Sequence, residues 1–227
     1  MGHNDYIFSK EAGEFRFLRR FEDMYRNCDD PHGQSCELER LDYQLVTIAL
    51  RKILSGPRDS DRPARVLDLG CGLGFFTSHV KSLFPSAEVS GCDISTTALE
   101  KARRRSPDCT YFPIDLKLSQ TLPARTYDVV IALDVLYYFT DVEIADVVMN
   151  VGSLVEVGGF LLAGYHLPEE MSFGRYIRGL NDARELFTPR GFEFCLTLDV
   201  NNSLDTTYSG DVVGRHIYFV AQKVQSV

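Results

Sequence analysis

The chain of 227 residues contains no tryptophan, no Cys-x-x-Cys pair and no surplus of positive charge. Lys and Arg number 24 against 32 Asp and Glu, for a formal charge of −8 and a pI near 5.1. A protein that binds nucleic acid needs a basic face to displace phosphate counterions, so such a partner is disfavoured. The six cysteines stand scattered at positions 28, 36, 71, 92, 109 and 195, with no Cys/His spacing suited to zinc. They read as reduced thiols in a cytoplasmic protein, with no metal expected. No stretch approaches the roughly 18 apolar residues of a membrane-spanning helix, and no apolar segment marks a secretory leader. Tyr6 stands where N-myristoylation requires Ser or Thr. Gly-Lys-Ser/Thr is missing after the glycine-rich segment, which excludes a phosphate-cradling P-loop.

What is present is 44% hydrophobic residues, enough for one full-sized core. Two parts are expected: a helical cap over residues 1–63 and a core over 64–227. In the cap, Ser9 is placed to start a helix running from Glu11 to Phe21. Asp29-Asp30-Pro31-His32-Gly33 signals a turn, and a second helix fits Leu38 to Leu54 with Leu41, Leu45, Ile48, Ala49 and Ile53 on its apolar stripe. From Arg65 onward, strand and helix patterns alternate. Strands are expected at 65–69, 88–92, 110–114, 127–133 and 160–165, with helices at 75–83, 96–105 and 143–154. Such alternation predicts an α/β fold with a doubly wound, mostly parallel sheet. A helix over Ser172–Leu186, a strand over Phe192–Val200, a loop over Asn201–Gly210 and a last strand over His216–Ala221 complete the chain.

The segment Val66-Leu67-Asp68-Leu69-Gly70-Cys71-Gly72-Leu73-Gly74-Phe75 is a buried strand, a glycine turn and the start of a helix. Glycines at alternate positions leave bare backbone against which a ligand can lie. Asp93 ends the next strand and suits the ribose hydroxyls of a nucleoside. A dinucleotide site would place a small residue where Phe75 stands. Adenosine with a short charged tail therefore fits better than NAD, and a nicotinamide dehydrogenase is the weakest rival.

These residues resemble the first motif of the class I, Rossmann-like S-adenosylmethionine-dependent methyltransferases, and the likeness extends in order over about residues 40–165. By that resemblance Asp93 would hold the ribose and Ile94 would pack on adenine. Asp115, with Leu116 beside it, would accept from the adenine amino group. Asp68 would lie near the cofactor's amino group, and the backbone of Gly70 and Cys71, within the Gly70, Gly72, Gly74 turn, would line the methionine portion. Asp134 joins this set from the end of the central strand. S-adenosylhomocysteine would be the product. The run Asp134-Val135-Leu136-Tyr137-Tyr138-Phe139, together with Asp30-Pro31-His32-Gly33, is similar to the nodulation-type sugar N-methyltransferases, many of which carry Trp in place of His32.

Asp134–Phe139 lies where an open α/β sheet binds its ligands. It has neither the Asn/Asp-Pro-Pro-Tyr/Phe of amide-directed enzymes nor the Pro-Cys of cytosine-C5 enzymes, so a small-molecule acceptor is expected. An amine must be neutral to attack and needs an orienting group, whereas a hydroxyl needs a base. Tyr137, Tyr138 and His166 are the catalytic candidates. Tyr6, Tyr25 and His32 are candidates for a lid, and His79 reads as structural. The expected activity is N-methylation of a sugar-like or other polar metabolite by a monomer or homodimer. The alternatives are an O-methyltransferase with His166 as base and a cofactor-binding protein without turnover.

Overall fold

The computed structural model describes residues 4–11, 14–56, 62–168, 177, 179–201 and 214–225. Seven strands form one sheet: β3 (Arg65–Leu69), β4 (Glu88–Asp93), β5 (Thr110–Pro113), β6 (Tyr127–Leu133), β7 (Val155–Pro168), β8 (Phe192–Asn201) and β9 (Gly214–Lys223). Their order is β5-β4-β3-β6-β7-β9-β8. The first five run parallel, and β9 inserts antiparallel between β7 and β8. This is the doubly wound Rossmann-like architecture expected from the alternating pattern. The winding direction reverses between β3 and β6, which places the ligand crevice beyond those two strand ends.

Alternate residues of the central strands feed two cores, as a period of two requires. Val66, Val129, Ile131 and Leu162 pack on α3 (Leu41–Leu54), α4 (Phe75–Leu83) and α5 (Thr96–Arg105) through Val46, Leu50, Phe76, Val80 and Leu99. Leu67, Val130, Ala132 and Leu161 pack on α6 (Ile144–Leu154) and α7 (Leu180–Phe187) through Val147, Val151 and Phe187. β3, α4, α5 and β6 have the boundaries that the sequence pattern predicts. Of the expected helix over Ser172–Leu186, only the part from Leu180 is seen as helix, in α7; residues 169–176 and 178 lie outside the described residues, as do 202–210 of the expected loop.

The N-terminal region departs from expectation. Residues 11–21 do not form one helix. After a short α1 (Asn4–Ile7), β1 (Phe8–Glu11) and β2 (Glu14–Phe17) make an antiparallel hairpin, with Phe8 opposite Phe17. The segment Glu14-Phe15-Arg16-Phe17 alternates aromatic and charged residues with a period of two, and that alternation outweighs the looser helical spacing. Helix α2 starts only at Phe21 and ends at Asn27. The turn at 29–33 forms as expected, a 3-10 helix spans Gln34–Glu39, and α3 follows. Its buried stripe is Tyr43, Val46 and Leu50, whereas Ile48 is 63% exposed, so the expected stripe is rotated.

A third cluster seats this region on the core: Tyr6, Ile7, Met24 and Tyr25 pack against Leu73 and Ala98. Glu22 accepts from Ser95 Oγ (2.7 Å), Thr97 N (3.2 Å) and Thr97 Oγ1 (2.5 Å), which joins α2 to the start of α5. Arg19 makes a bidentate ion pair with Glu143 at the start of α6, and Glu143 also accepts from Thr140 N and Oγ1. The Arg19 bonds lead the causes that pull the Glu143 carboxyl down to about 2. A depressed folded pKa means the unfolded chain binds more protons between about 2 and 4.5. The stabilisation is complete above that window and lost as pH falls through about 2. Glu143→Gln is expected to cost about 1–2 kcal/mol at pH 7, the scale of a charge-assisted pair at a side chain 23% exposed. Urea titrations should show the gap between variant and native protein closing below pH 3; a gap independent of pH would disprove this account.

Candidate active site

The glycine turn leaves β3 with Gly70, Gly72 and Gly74 all left-handed, at φ of 66°, 51° and 73°. A Cβ on Gly70 would lie 2.7 Å from Val135 Cγ2, so the ends of β3 and β6 meet across bare backbone. The amide donors of the turn are already engaged. Cys71 N donates to Cys92 O (2.9 Å), Gly72 N to Asp93 Oδ2 (2.9 Å), Leu73 N to Gln34 Oε1 (2.8 Å) and Gly74 N to Cys71 O (2.9 Å). A pyrophosphate needs such donors free. This turn offers carbonyls and neighbouring carboxyls instead, which suits a ligand bearing an ammonium and a sulfonium.

Asp93 is buried, and its two oxygens accept from Gly72 N and Ser95 N (2.9 Å each), so it links the end of β4 to the turn. A carboxylate has about four acceptor positions, and the Ile94 backbone N–H also bonds to Asp93. Ile94 next to it is 52% exposed. Asp115 is half-buried; its Oδ1 accepts from Lys117 N (3.0 Å), and Oδ2 has no protein donor among the described residues. Leu116, by contrast, is packed into the core, where its carbonyl accepts from Asn150 Nδ2 (2.8 Å). Asp68 is also interior: it accepts from Thr77 Oγ1 (2.6 Å), and burial raises its carboxyl to about 7. Asp93, Ile94 and Asp115 thus stand at or just past the ends of the paired strands β4 and β5.

Asp134 follows the last residue of β6 with φ of 53°, a left-handed conformation that a non-glycine residue adopts at a cost. Its N–H donates to Gly164 O (2.8 Å), which fixes it beside β7. The Tyr137 hydroxyl donates to that of Tyr138 (2.7 Å), with ring centroids 4.1 Å apart. Tyr138 meets Phe17 and Phe21 edge-on, so the N-terminal hairpin and α2 reach the acceptor side. Burial pushes both phenols above their ordinary value, so at neutral pH they remain protonated hydrogen-bond donors. His166 lies on β7 directly opposite His216 of β9. His79 is on α4, within 3.4 Å of Thr47 Oγ1 and away from the crevice. Of the lid candidates, Tyr25 is buried over the turn and stacks edge-on with His32, and Tyr6 packs beneath it.

Sequence reasoning missed Gln34, Glu37, Arg40 and Tyr43. Gln34 spans the turn, accepting from Leu73 N and donating to Cys71 O (3.5 Å). Arg40 lies 3.1 Å from His216 Nε2 and over the Tyr43 ring. Their spacing of three was a usable signal, since residues i and i+3 eclipse on a 3-10 helix. Among the described residues no group of three His, Cys, Asp or Glu is placed to hold a metal, and no helix is long and apolar enough to cross a membrane.

The reversed sheet thus carries a glycine turn after β3 and carboxyl groups at or just past the ends of β4, β5 and β6. Residues 67–161 match the family model described as a methyltransferase domain. The chain is similar to a malonyl-[acyl-carrier protein] O-methyltransferase of Legionella pneumophila, 37% identical over 34% of this chain and 28% of that protein. It is also similar to a trans-aconitate 2-methyltransferase of Klebsiella pneumoniae, 36% identical over 34% of this chain and 30% of that one. The chain thus spans less than a third of the length of these relatives. Among solved structures, the N-methyltransferase NodS from Bradyrhizobium japonicum, in complex with S-adenosyl-L-homocysteine, shares the fold with a TM-score of 0.64 at 16% identity, covering 90% of this chain and 99% of that one.

Proposed function

We propose that this protein moves a methyl group from S-adenosylmethionine to an amino group of a sugar-like or other polar small molecule. The supporting observation is the chemistry of the crevice. The turn's donors are engaged, and the strand ends carry Asp93, Asp115 and Asp134, a field that attracts a cationic sulfonium and an amine and repels phosphates and carboxylates. When bound, the cofactor supplies an electrophilic methyl group, and the displacement requires alignment more than strong acid–base help. Asp93, Ile94 and Asp115 would hold the nucleoside. Gln34 and Tyr25 would close over the turn and exclude water. The paired Tyr137 and Tyr138 hydroxyls would orient the amine. The acceptor is a small molecule, with neither nucleic acid nor membrane as partner, and the acting unit is a monomer or homodimer.

Calorimetry with S-adenosylmethionine, S-adenosylhomocysteine and NAD tests the cofactor half. The first two are expected to bind and NAD is not; binding of NAD alone would overturn the reading. A second reading, O-methylation, is favoured by the names of the relatives and by the place of His166 at the end of β7. In that case His166→Ala should lower the rate on the true acceptor by about 100-fold or more, the scale of a lost general base. A rate within twofold of the native protein leaves amine methylation as the reading.

A further inference from the structure

The 3-10 helix Gln34–Glu39 places Gln34 and Glu37, and then Arg40 at its end, three residues apart along one side. The two ends of this row are fixed. Gln34 is bonded to the glycine turn through Leu73 N and Cys71 O, and Arg40 meets His216 on β9. Glu37, midway, is therefore held above the ends of β3 and β6, between the glycine turn and the start of β9. It is only 8% exposed, although it is a carboxylic acid. No hydrophobic packing requires an acid there, and burial of a carboxyl is costly.

The groups facing it come from several elements: Asp134 after β6, Asp68 on β3, Tyr43 on α3, which is bonded to it, and Arg40 in its own segment. Tyr25 and Tyr138 lie at the same spot from α2 and the loop after β6. We infer that Glu37 receives the acceptor's amino group and takes the proton that this group must lose before it can attack. The inference rests on the amine reading above.

Burial comes first among the causes that raise the Glu37 carboxyl well above its ordinary value, and the nearby Asp134 adds to it, while Arg40 and Tyr43 oppose it. A carboxyl so shifted is a stronger base than a surface one, which is what an ammonium donor requires. The step is balanced: one proton passes from the ammonium nitrogen to a Glu37 carboxylate oxygen. The nitrogen keeps the N–H electron pair as the lone pair that forms the new N–C bond, the departing sulfur keeps the S–C pair, and Glu37 later returns its proton to water. The same position disfavours a carboxylate acceptor, because its charge would face both Glu37 and Asp134.

The test is calorimetric binding of D-glucosamine, as the primary-amine probe, and of trans-aconitate, as the carboxylate probe, to the protein saturated with S-adenosylhomocysteine. Native protein is expected to bind glucosamine. Glu37→Gln should weaken that binding at least 10-fold and remove its dependence on pH, while the affinity for S-adenosylhomocysteine stays within twofold. Glu37→Asp, which keeps the charge and shortens the reach, should recover part of the loss and serves if the Gln variant fails to fold. Equal glucosamine binding by native and Glu37→Gln proteins overturns the role of Glu37 and leaves the amine reading intact. Binding of trans-aconitate in place of glucosamine overturns both. Binding of neither probe overturns the inference for small primary amines.

Discussion

Gly72→Ala is expected to destabilise the protein by about 2–5 kcal/mol and to weaken S-adenosylhomocysteine binding at least 10-fold. Two separate costs add up to this. The residue sits at φ of 51°, where a Cβ costs roughly 1–2 kcal/mol in the left-handed region. The new methyl would also lie 2.4 Å from Gln34 Oε1 and 2.6 Å from the Tyr25 hydroxyl, so the side chains that close the turn must move. Displacing Gln34 leaves the buried Leu73 N–H without its acceptor, a loss of about 1–3 kcal/mol. The two costs separate in a double-mutant cycle. In a Gln34→Ala background the alanine at 72 should add mainly the backbone cost, because the amide contact is already gone. Strictly additive effects in urea denaturation would show that Gln34 and the turn are not coupled, and unchanged stability in the single variant would refute the packing described here.

The core of the fold was legible because its strands are buried on both faces and its turns carry unambiguous chemistry. Tyr127–Leu133 reads as a central strand from an unbroken apolar run, and three glycines in nine residues can hardly be anything but a tight turn. The places of Asp93, Ile94 and Asp115 at strand ends were legible for the same reason: each ends or follows a strand whose position the apolar pattern fixes. The cap was less readable. Phe15, Phe17, Leu18 and Phe21 satisfy a loose helical period as well as a strand alternation, and only pairing with Phe8 decides in favour of the hairpin. Leu116 was assigned to the ligand by its neighbour, yet one residue along a chain that dips into the core reverses its exposure. Gln34, Glu37 and Arg40 escaped notice because each is polar in a polar stretch. Their placement depends on tertiary contacts, and no local periodicity of apolar residues announces those contacts.

Asp93→Ala is expected to weaken S-adenosylhomocysteine binding by about 1–3 kcal/mol, the value of a charge-assisted hydrogen bond. The same substitution removes the acceptor of Gly72 N and Ser95 N, so the fold is destabilised as well. The two effects have different pH dependence. Burial raises the Asp93 carboxyl above its ordinary 3.8, against the hydrogen bonds from Ser95 and Gly72. A raised folded pKa means the native state holds more protons than the unfolded chain, so this group's contribution is greatest below 3.8 and shrinks as pH rises through its folded value. The stability cost of Asp93→Ala should therefore be larger at pH 4.5 than at pH 8. The loss of ligand affinity should follow the opposite course, because ribose hydroxyls donate best to the ionised carboxylate. Calorimetry and urea titrations at both pH values read the two trends on the same samples. Affinity equal to that of the native protein at pH 8 would remove Asp93 from the ribose. Stability and affinity losses that are each the same at pH 4.5 and pH 8 would show that Asp93 is ionised in the folded state throughout this range.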